Sequence, residues 1–375
     1  MSGERTFRRA GILGTGLIGG SLGMALRKRG LVEEVLGFDR DASMLEKALR
    51  CGAVDAAVAG AEELARACDL VFIAVPVRSI PGAMRDLAPH VNAGTVVSDV
   101  GSVKGSVARA AQELLGHGCH FIGGHPLAGS EQRGVEFADP DLFRDAYYVL
   151  TPGRDCDADA YARLNALLSA MGARVIAMEP EQHDRAVSVI SHLPHVLASS
   201  LMNFALDRAD EYPLLRLAAG GFRDMTRIAA SHAGLWLDIL MENREALGET
   251  LRAFTEALRG VEDMLGGVSE EELSAWLERA RGGRQNLAPA LRESLQELYS
   301  LVMPVEDRPG VISEVTLAVG EEGINIDDIE LVHPLESGSG LLRLSVRGGE
   351  AAQRAAEALR DRGYRVSVSK SLGGE

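Results

Sequence analysis

The chain has 375 residues, too many for one ordinary domain and enough for two or three. Lys and Arg number 39 against 54 Asp and Glu, a net charge of −15 that argues against a nucleic-acid surface, where a basic stripe is expected. The N-terminus is too short and polar for a secretory leader and no apolar run is long enough to span a bilayer, so a soluble, cytoplasmic protein with no membrane partner is expected.

Cys51, Cys68, Cys119 and Cys156 form no CxxC pair and lack metal-ligand spacing, so free thiols are expected and no metal. Lysine occurs only at Lys28, Lys47, Lys104 and Lys370. That distribution excludes chemistry by a lysine in a second domain.

Residues 1–178 alternate short apolar runs with amphipathic stretches. Arg8–Leu13, Glu34–Phe38, Asp69–Val75, Thr95–Ser98, His120–Gly123, Tyr147–Leu150 and Arg174–Ala177 read as strands. Leu17–Arg29, Ala42–Arg50, Val103–Leu115 and Ala158–Met171 read as helices. The alternation predicts an α/β, Rossmann-type domain whose parallel sheet is covered on both faces.

Its opening carries Gly14, Thr15, Gly16, Leu17, Ile18 and Gly19, a GxGxxG fingerprint in the required strand–turn–helix context. The glycines allow a tight turn, close approach of backbone to a pyrophosphate, and close helix packing. Asp39, twenty residues past Gly19, is placed to accept hydrogen bonds from ribose hydroxyls, which favours NAD over NADP. The neighbouring Arg40 is a cofactor contact that pulls the other way, since an arginine there can support a 2′-phosphate.

Two further segments carry chemistry. Asp99–Lys104 joins a strand end to a helix start, where Ser102 reads either as a helix cap or as a hydroxyl orienting a catalytic group. Gly123–Glu131 places His125 just after a strand, at the sheet end where ligands bind; a neutral imidazole there can accept a proton.

From Glu179 to about residue 283 the apolar spacing becomes helical, over Ala186–Leu206, Leu235–Leu265 and Glu270–Arg281. His183–Asp184, Ser191–His195 and Gly220–Arg227 stand out. His192 and His195 lie three apart on one helix face, without a third metal ligand. Arg227 suits two-point capture of a carboxylate, or a surface ion pair. Gly282–Asn286 reads as a linker. Residues 297–375 then follow the order β-α-β-β-α-β of a small ferredoxin-like module.

Gly11–Gly23, Asp99–Lys104, Gly124–Glu131, Ser191–His195 and Gly221–Arg227 together resemble the prephenate dehydrogenase family, over about Arg8 to Glu278. The resemblance implies a Rossmann domain followed by a helical domain that forms a homodimer. It implies catalysis by His125 with Ser102 as partner, and substrate binding by Ser130, Glu131, His195 and Arg227, with Asp184 in a polar network near Arg227. The implied reaction is NAD-dependent oxidative decarboxylation of prephenate to 4-hydroxyphenylpyruvate. His125 takes the 4-hydroxyl proton, hydride leaves C4, and loss of CO2 makes the ring aromatic. Arogenate dehydrogenase and an inactive NAD-responsive regulator are the rival readings. The β-hydroxyacid dehydrogenases are excluded by the missing lysine. In the third segment Pro304–Gly310 and Gly323–Ile326 resemble an ACT domain, which implies a regulatory site at Asp307, Arg308, Pro309, Gly310 and Asn325, with L-tyrosine as effector.

Overall fold

The structure is a computed structural model that describes residues 6–116, 118–129, 132–153, 156–208, 214–267, 269–292, 298–306, 308–332 and 339–370. By backbone contacts it divides into two units, Met1–Ala257 and Leu258–Glu375.

The first unit opens with β1 (Arg9–Leu13), α1 (Leu17–Lys28), β2 (Glu34–Phe38), α2 (Ala42–Arg50), β3 (Ala56–Ala57), α3 (Ala61–Ala67), β4 (Leu70–Ile73) and α4 (Ile80–Leu87). It continues through β5 (Val96–Asp99), α5 (Gly105–Leu114), β6 (His120–Pro126), β7 (Tyr147–Pro152), α6 (Ala158–Ala170) and β8 (Arg174–Ala177). The strands form one sheet in the order β3-β2-β1-β4-β5-β6-β7-β8. β1 and β4 are apolar and buried almost throughout, and β5 is buried along its whole length, as strands covered on both faces must be. One core cluster contains Ile12, Leu22, Phe72 and Leu164, and the other Ile73, Ile80, Leu87 and Val107.

The sheet is not wholly parallel. β7 runs antiparallel to β6, with Gly124 opposite Leu150. The expected all-parallel sheet fails here because the described residues between Pro126 and Tyr147 hold only one three-residue turn of helix, Val135–Phe137, and a parallel return needs a full crossover.

Five further helices follow in chain order: α7 (Pro180–Val187), α8 (Leu193–Leu206), α9 (Gly220–Thr226), α10 (Ala233–Glu242) and α11 (Arg244–Gly267). α7 and α8 form one continuous run through a π-helical turn, Ser188–His192. That run is long and apolar enough to cross a membrane by length and composition, contrary to the expectation that none is. Its buried positions nevertheless include His183, Asp184, Ser188, His192 and His195, which make it part of a polar site. The predicted helix Leu235–Leu265 is broken at Asn243, whose side chain bonds the backbone of Asp184 instead.

α12 (Glu270–Arg292) overturns the predicted linker, because Gly282–Asn286 lies inside it. Each glycine costs a helix about 1 kcal/mol relative to alanine, which the flanking Ala, Arg, Gln and Leu outweigh. β9 (Leu298–Glu306), α13 (Val311–Glu321), β10 (Ile326–Val332), β11 (Ser339–Arg347), α14 (Gly349–Asp361) and β12 (Ser367–Lys370) complete the chain. Their antiparallel sheet has the order β10-β11-β9-β12, the ferredoxin-like arrangement, with Leu301, Met303, Val315, Leu344 and Leu359 buried.

Because a Cβ on Gly282 or Gly283 would meet nothing within 4 Å, the double alanine variant fits the helix. It should raise stability by about 1–2 kcal/mol, read as a higher urea midpoint. An unchanged or lower midpoint would fit a turn instead.

Candidate active site

A cleft of about 310 Å³ at the carboxyl ends of β1, β2 and β4 is lined by Gly14, Gly16, Asp39, Arg40, Ser79 and Asp86, among others. Gly14 turns the chain at φ +97°, where a Cβ would also lie 2.4 Å from the Ala74 carbonyl oxygen. A Cβ on Gly19 would sit 2.0 Å from the Gly14 oxygen, so only glycine lets α1 lie this close to β1. On Gly16 it would meet no atom within 4 Å, because that position faces the open cleft. α1 starts at Leu17 and Ile18 without a side-chain cap, which leaves its first N–H groups to an anion. These features fit a dinucleotide pyrophosphate.

Asp39 is fixed by the N–H of Thr15, which donates to Oδ2 at 2.7 Å, and by the N–H of Asp41, which donates to Oδ1 at 3.0 Å. Arg40, read in the sequence as a possible support for a 2′-phosphate, lies 3.5 Å from the Asp86 carboxylate. With Asp39 and Asp41 also lining the cleft, this corner repels a further phosphate.

His125 sits near the end of β6, its ring partly open to solvent. Burial, then the neighbouring His183, Lys104 and His192, holds its pKa well below the ordinary 6.5. That keeps the ring neutral and able to accept a proton, as the sequence reading of His125 requires. Its Nδ1 lies 2.8 Å from His183 Nε2, and His183 Nδ1 lies 2.8 Å from Asp184 Oδ1. The Asp184 carboxylate in turn accepts the backbone N–H groups of Lys104 and Gly105, both at 2.8 Å.

Ser102 is half-buried in the turn between β5 and α5 and makes no hydrogen bond to His125; the ring is held by His183. Nor does Ser102 cap α5, which begins at Gly105 rather than at the predicted Val103. The capping carboxylate is that of Asp184, from α7.

Lys104 was not anticipated. It is fully buried, its ammonium bonded to Asp99 Oδ2 and, at 2.5 Å, to the Gly124 carbonyl. The lysine thus ties β5 to the strand that carries His125. Burial lowers the Lys104 pKa, and the facing Asp99 carboxylate opposes that shift.

On the helical side, His195 stacks on Trp236 at 3.6 Å with an interplanar angle of 4°, and its buried Nδ1 has no hydrogen-bond partner. His192, its pKa lowered to about 4 by burial, meets the edge of Trp236 and the Asn243 amide. Trp236 and Asn243 carried no sequence signal of function, since neither belongs to a motif. Arg227 opens a 3-10 turn, Arg227–Ala230, that packs on α8, and its side chain is exposed. Ser130 and Glu131 lie outside the described residues.

In the second unit Asp307 lies outside the described residues. Arg308 pairs with Glu314 at 2.7 Å, beside the exposed Pro309. Gly310 precedes α13 at φ +90° with no side-chain cap, and Asn325 is exposed just before β10.

A Rossmann cleft fitted to a dinucleotide, together with a neutral histidine at the end of β6, defines an NAD-dependent dehydrogenase. Residues 22–177 match the family profile described as prephenate dehydrogenase, nucleotide-binding domain, and residues 179–279 the one described as its dimerization domain. The chain belongs to the prephenate dehydrogenase family. It is 35% identical to the prephenate dehydrogenase of Bacillus subtilis (strain 168), over 94% of this chain and 95% of that one. Among solved structures, the A. aeolicus prephenate dehydrogenase in complex with hydroxyphenyl propionate and NAD+ superposes with a TM-score of 0.71 at 31% identity, covering 75% of this chain and 98% of that one. The Synechocystis arogenate dehydrogenase gives 0.68 at 32% identity, covering 74% and 99%.

With the His125 pKa held below 6.5, the neutral base persists as pH falls, so kcat/KM should stay level from pH 8 to below 6.5 and drop only in more acidic solution. An inflection at or above 6.5 in the pH profile would count against this environment.

Proposed function

We propose that the protein oxidatively decarboxylates prephenate to 4-hydroxyphenylpyruvate with NAD, acting in the cytoplasm as a homodimer. The observation that carries this reading is His125 at the carboxyl end of β6, on the same edge of the sheet as the dinucleotide cleft, with its Nδ1 already bonded to His183. Its other ring nitrogen takes the proton of the ring hydroxyl. NAD, when bound, supplies the hydride acceptor. Departure of the carboxylate as CO2 aromatises the ring, so the protein's task is to orient the substrate and exclude water. His195 and Arg227 supply substrate contacts, the arginine through the carboxylate geometry its guanidinium matches. Exposed Ile190, Phe204, Leu217, Met225 and Leu237 on the helical segment give the dimer an apolar surface to bury.

Prephenate is favoured over arogenate because the B. subtilis enzyme, which matches almost the whole chain, carries that name. The test is NADH formation with each substrate. Prephenate should be turned over with the higher kcat/KM, and His125→Asn should cut turnover by about 100- to 10,000-fold while NAD still binds. Arg227→Ala should raise KM for prephenate about tenfold or more and leave that for NAD unchanged. A higher kcat/KM with arogenate would favour the other substrate, and near-normal turnover by His125→Asn would remove the histidine base.

We further propose that residues 297–375 form an ACT domain that binds L-tyrosine and inhibits the enzyme. The uncapped start of α13 after Gly310 suits a carboxylate, and exposed Asn325 suits an ammonium group. Tyrosine should inhibit the full-length enzyme, and Asn325→Ala should weaken that inhibition without changing the uninhibited rate. Equal inhibition of both forms would place tyrosine at the active site.

A further inference from the structure

The line Asp184–His183–His125 has a direction. The carboxylate of Asp184 receives the N–H groups of Lys104 and Gly105, which can only donate, and His183 Nδ1 meets the same oxygen as Lys104 at 2.8 Å. A carboxylate oxygen accepts, so His183 carries its proton on Nδ1. In neutral His183 the other nitrogen, Nε2, is then an acceptor. It faces His125 Nδ1 at 2.8 Å, so His125 must donate there. The lone pair of neutral His125 is left on Nε2, the one ring nitrogen not consumed by protein.

We propose that Asp184 and His183 are positioning residues that fix the tautomer of His125, holding its basic lone pair on Nε2. The proposal rests on the reading of His125 as the proton acceptor. The opposite order would set two acceptors against each other at Asp184, or require a second proton on His183. That ring is only 1% exposed, and buried Lys104 at the start of α5 and His192 on the π turn lie close to the cluster. An added cation there meets a charge already present. The proton order of His125 is thus set two residues away, by the carboxylate that caps α5.

Two substitutions separate this role from a merely structural one. In Asp184→Asn the new amide can donate to His183 Nδ1, which turns the order around and puts the proton of His125 on Nε2. Turnover should fall on the order of 100- to 10,000-fold, with KM for prephenate and NAD little changed, and no pH should restore it. In His183→Gln one amide can both donate to Asp184 and accept from His125. The order survives, and turnover should stay within about tenfold of the parent, whereas His183→Ala should lose it.

The direct readout is the 15N spectrum of the full-length enzyme labelled in histidine, with His125 assigned by its absence from His125→Asn. His125 should be protonated on Nδ1 in the parent and in His183→Gln, and on Nε2 in Asp184→Asn. A parent enzyme with the proton on Nε2, or an Asp184→Asn enzyme with parental tautomer and rate, would overturn the proposal. Should Asp184→Asn fail to fold, the parent spectrum and the pair His183→Gln and His183→Ala decide it. Because the tautomer is read without substrate, it stands apart from the catalytic reading, which fails separately if His125→Asn keeps its turnover.

Discussion

One carboxylate holds the two halves of the first unit together. Asp184 belongs to α7, yet it satisfies the backbone N–H groups at the start of α5 in the Rossmann domain. Such a cap contributes about 1 kcal/mol, with more from the helix dipole when the capping group is charged. The helix has no cap of its own, so the cofactor domain is completed only when α7 docks. Asn243 then binds the Asp184 carbonyl and His192 together, which draws the α10–α11 junction into the same network. Geometry at the catalytic histidine therefore depends on the docking of segments up to 118 residues from it in the chain, from His125 to Asn243.

The buried Asp99–Lys104 pair is a second constraint, with a different effect. Removing two charges from water is costly, and the pair is tolerated because Gly101, Gly124 and Lys104 all donate to the Asp99 carboxylate while Lys104 also binds the Gly124 carbonyl. Its location argues for specificity of placement over stability. The lysine fixes the residue directly before His125, and its charge helps keep that ring neutral.

Much of this was legible in the sequence. Strand and helix positions in residues 8–178 followed from periodicity because both faces of the sheet are buried. The glycine turn and Asp39 also stood where local rules put them. Helices α3 and α4 were missed: α3 has only seven residues, mostly alanine and glutamate, and α4 carries Pro81 and Gly82 in its first turn, where they break the pattern although proline suits that position; β3 was missed because two alanines show no pattern. Strand direction at β7 carries no local signal. The linker failed because glycine was read as punctuation where its neighbours keep the helix. At the site, His125, His183 and Asp184 each lay in a segment of interest, but their joining is a tertiary fact. Lys104 closed a segment singled out for Ser102, and nothing in its neighbours showed a burial that depends on Asp99.

The π turn between α7 and α8 acts as a gear. In uniform α-helix, twelve residues from His183 to His195 would leave their side chains about 120° apart around the axis. A π turn accommodates one extra residue, so the remaining eleven advance by about 20° and bring both rings to the same side. Chain length in Ser188–His192 is therefore a matter of angle. Deleting one residue would give a smoother helix and swing His195 away from Trp236, while His183 kept its place.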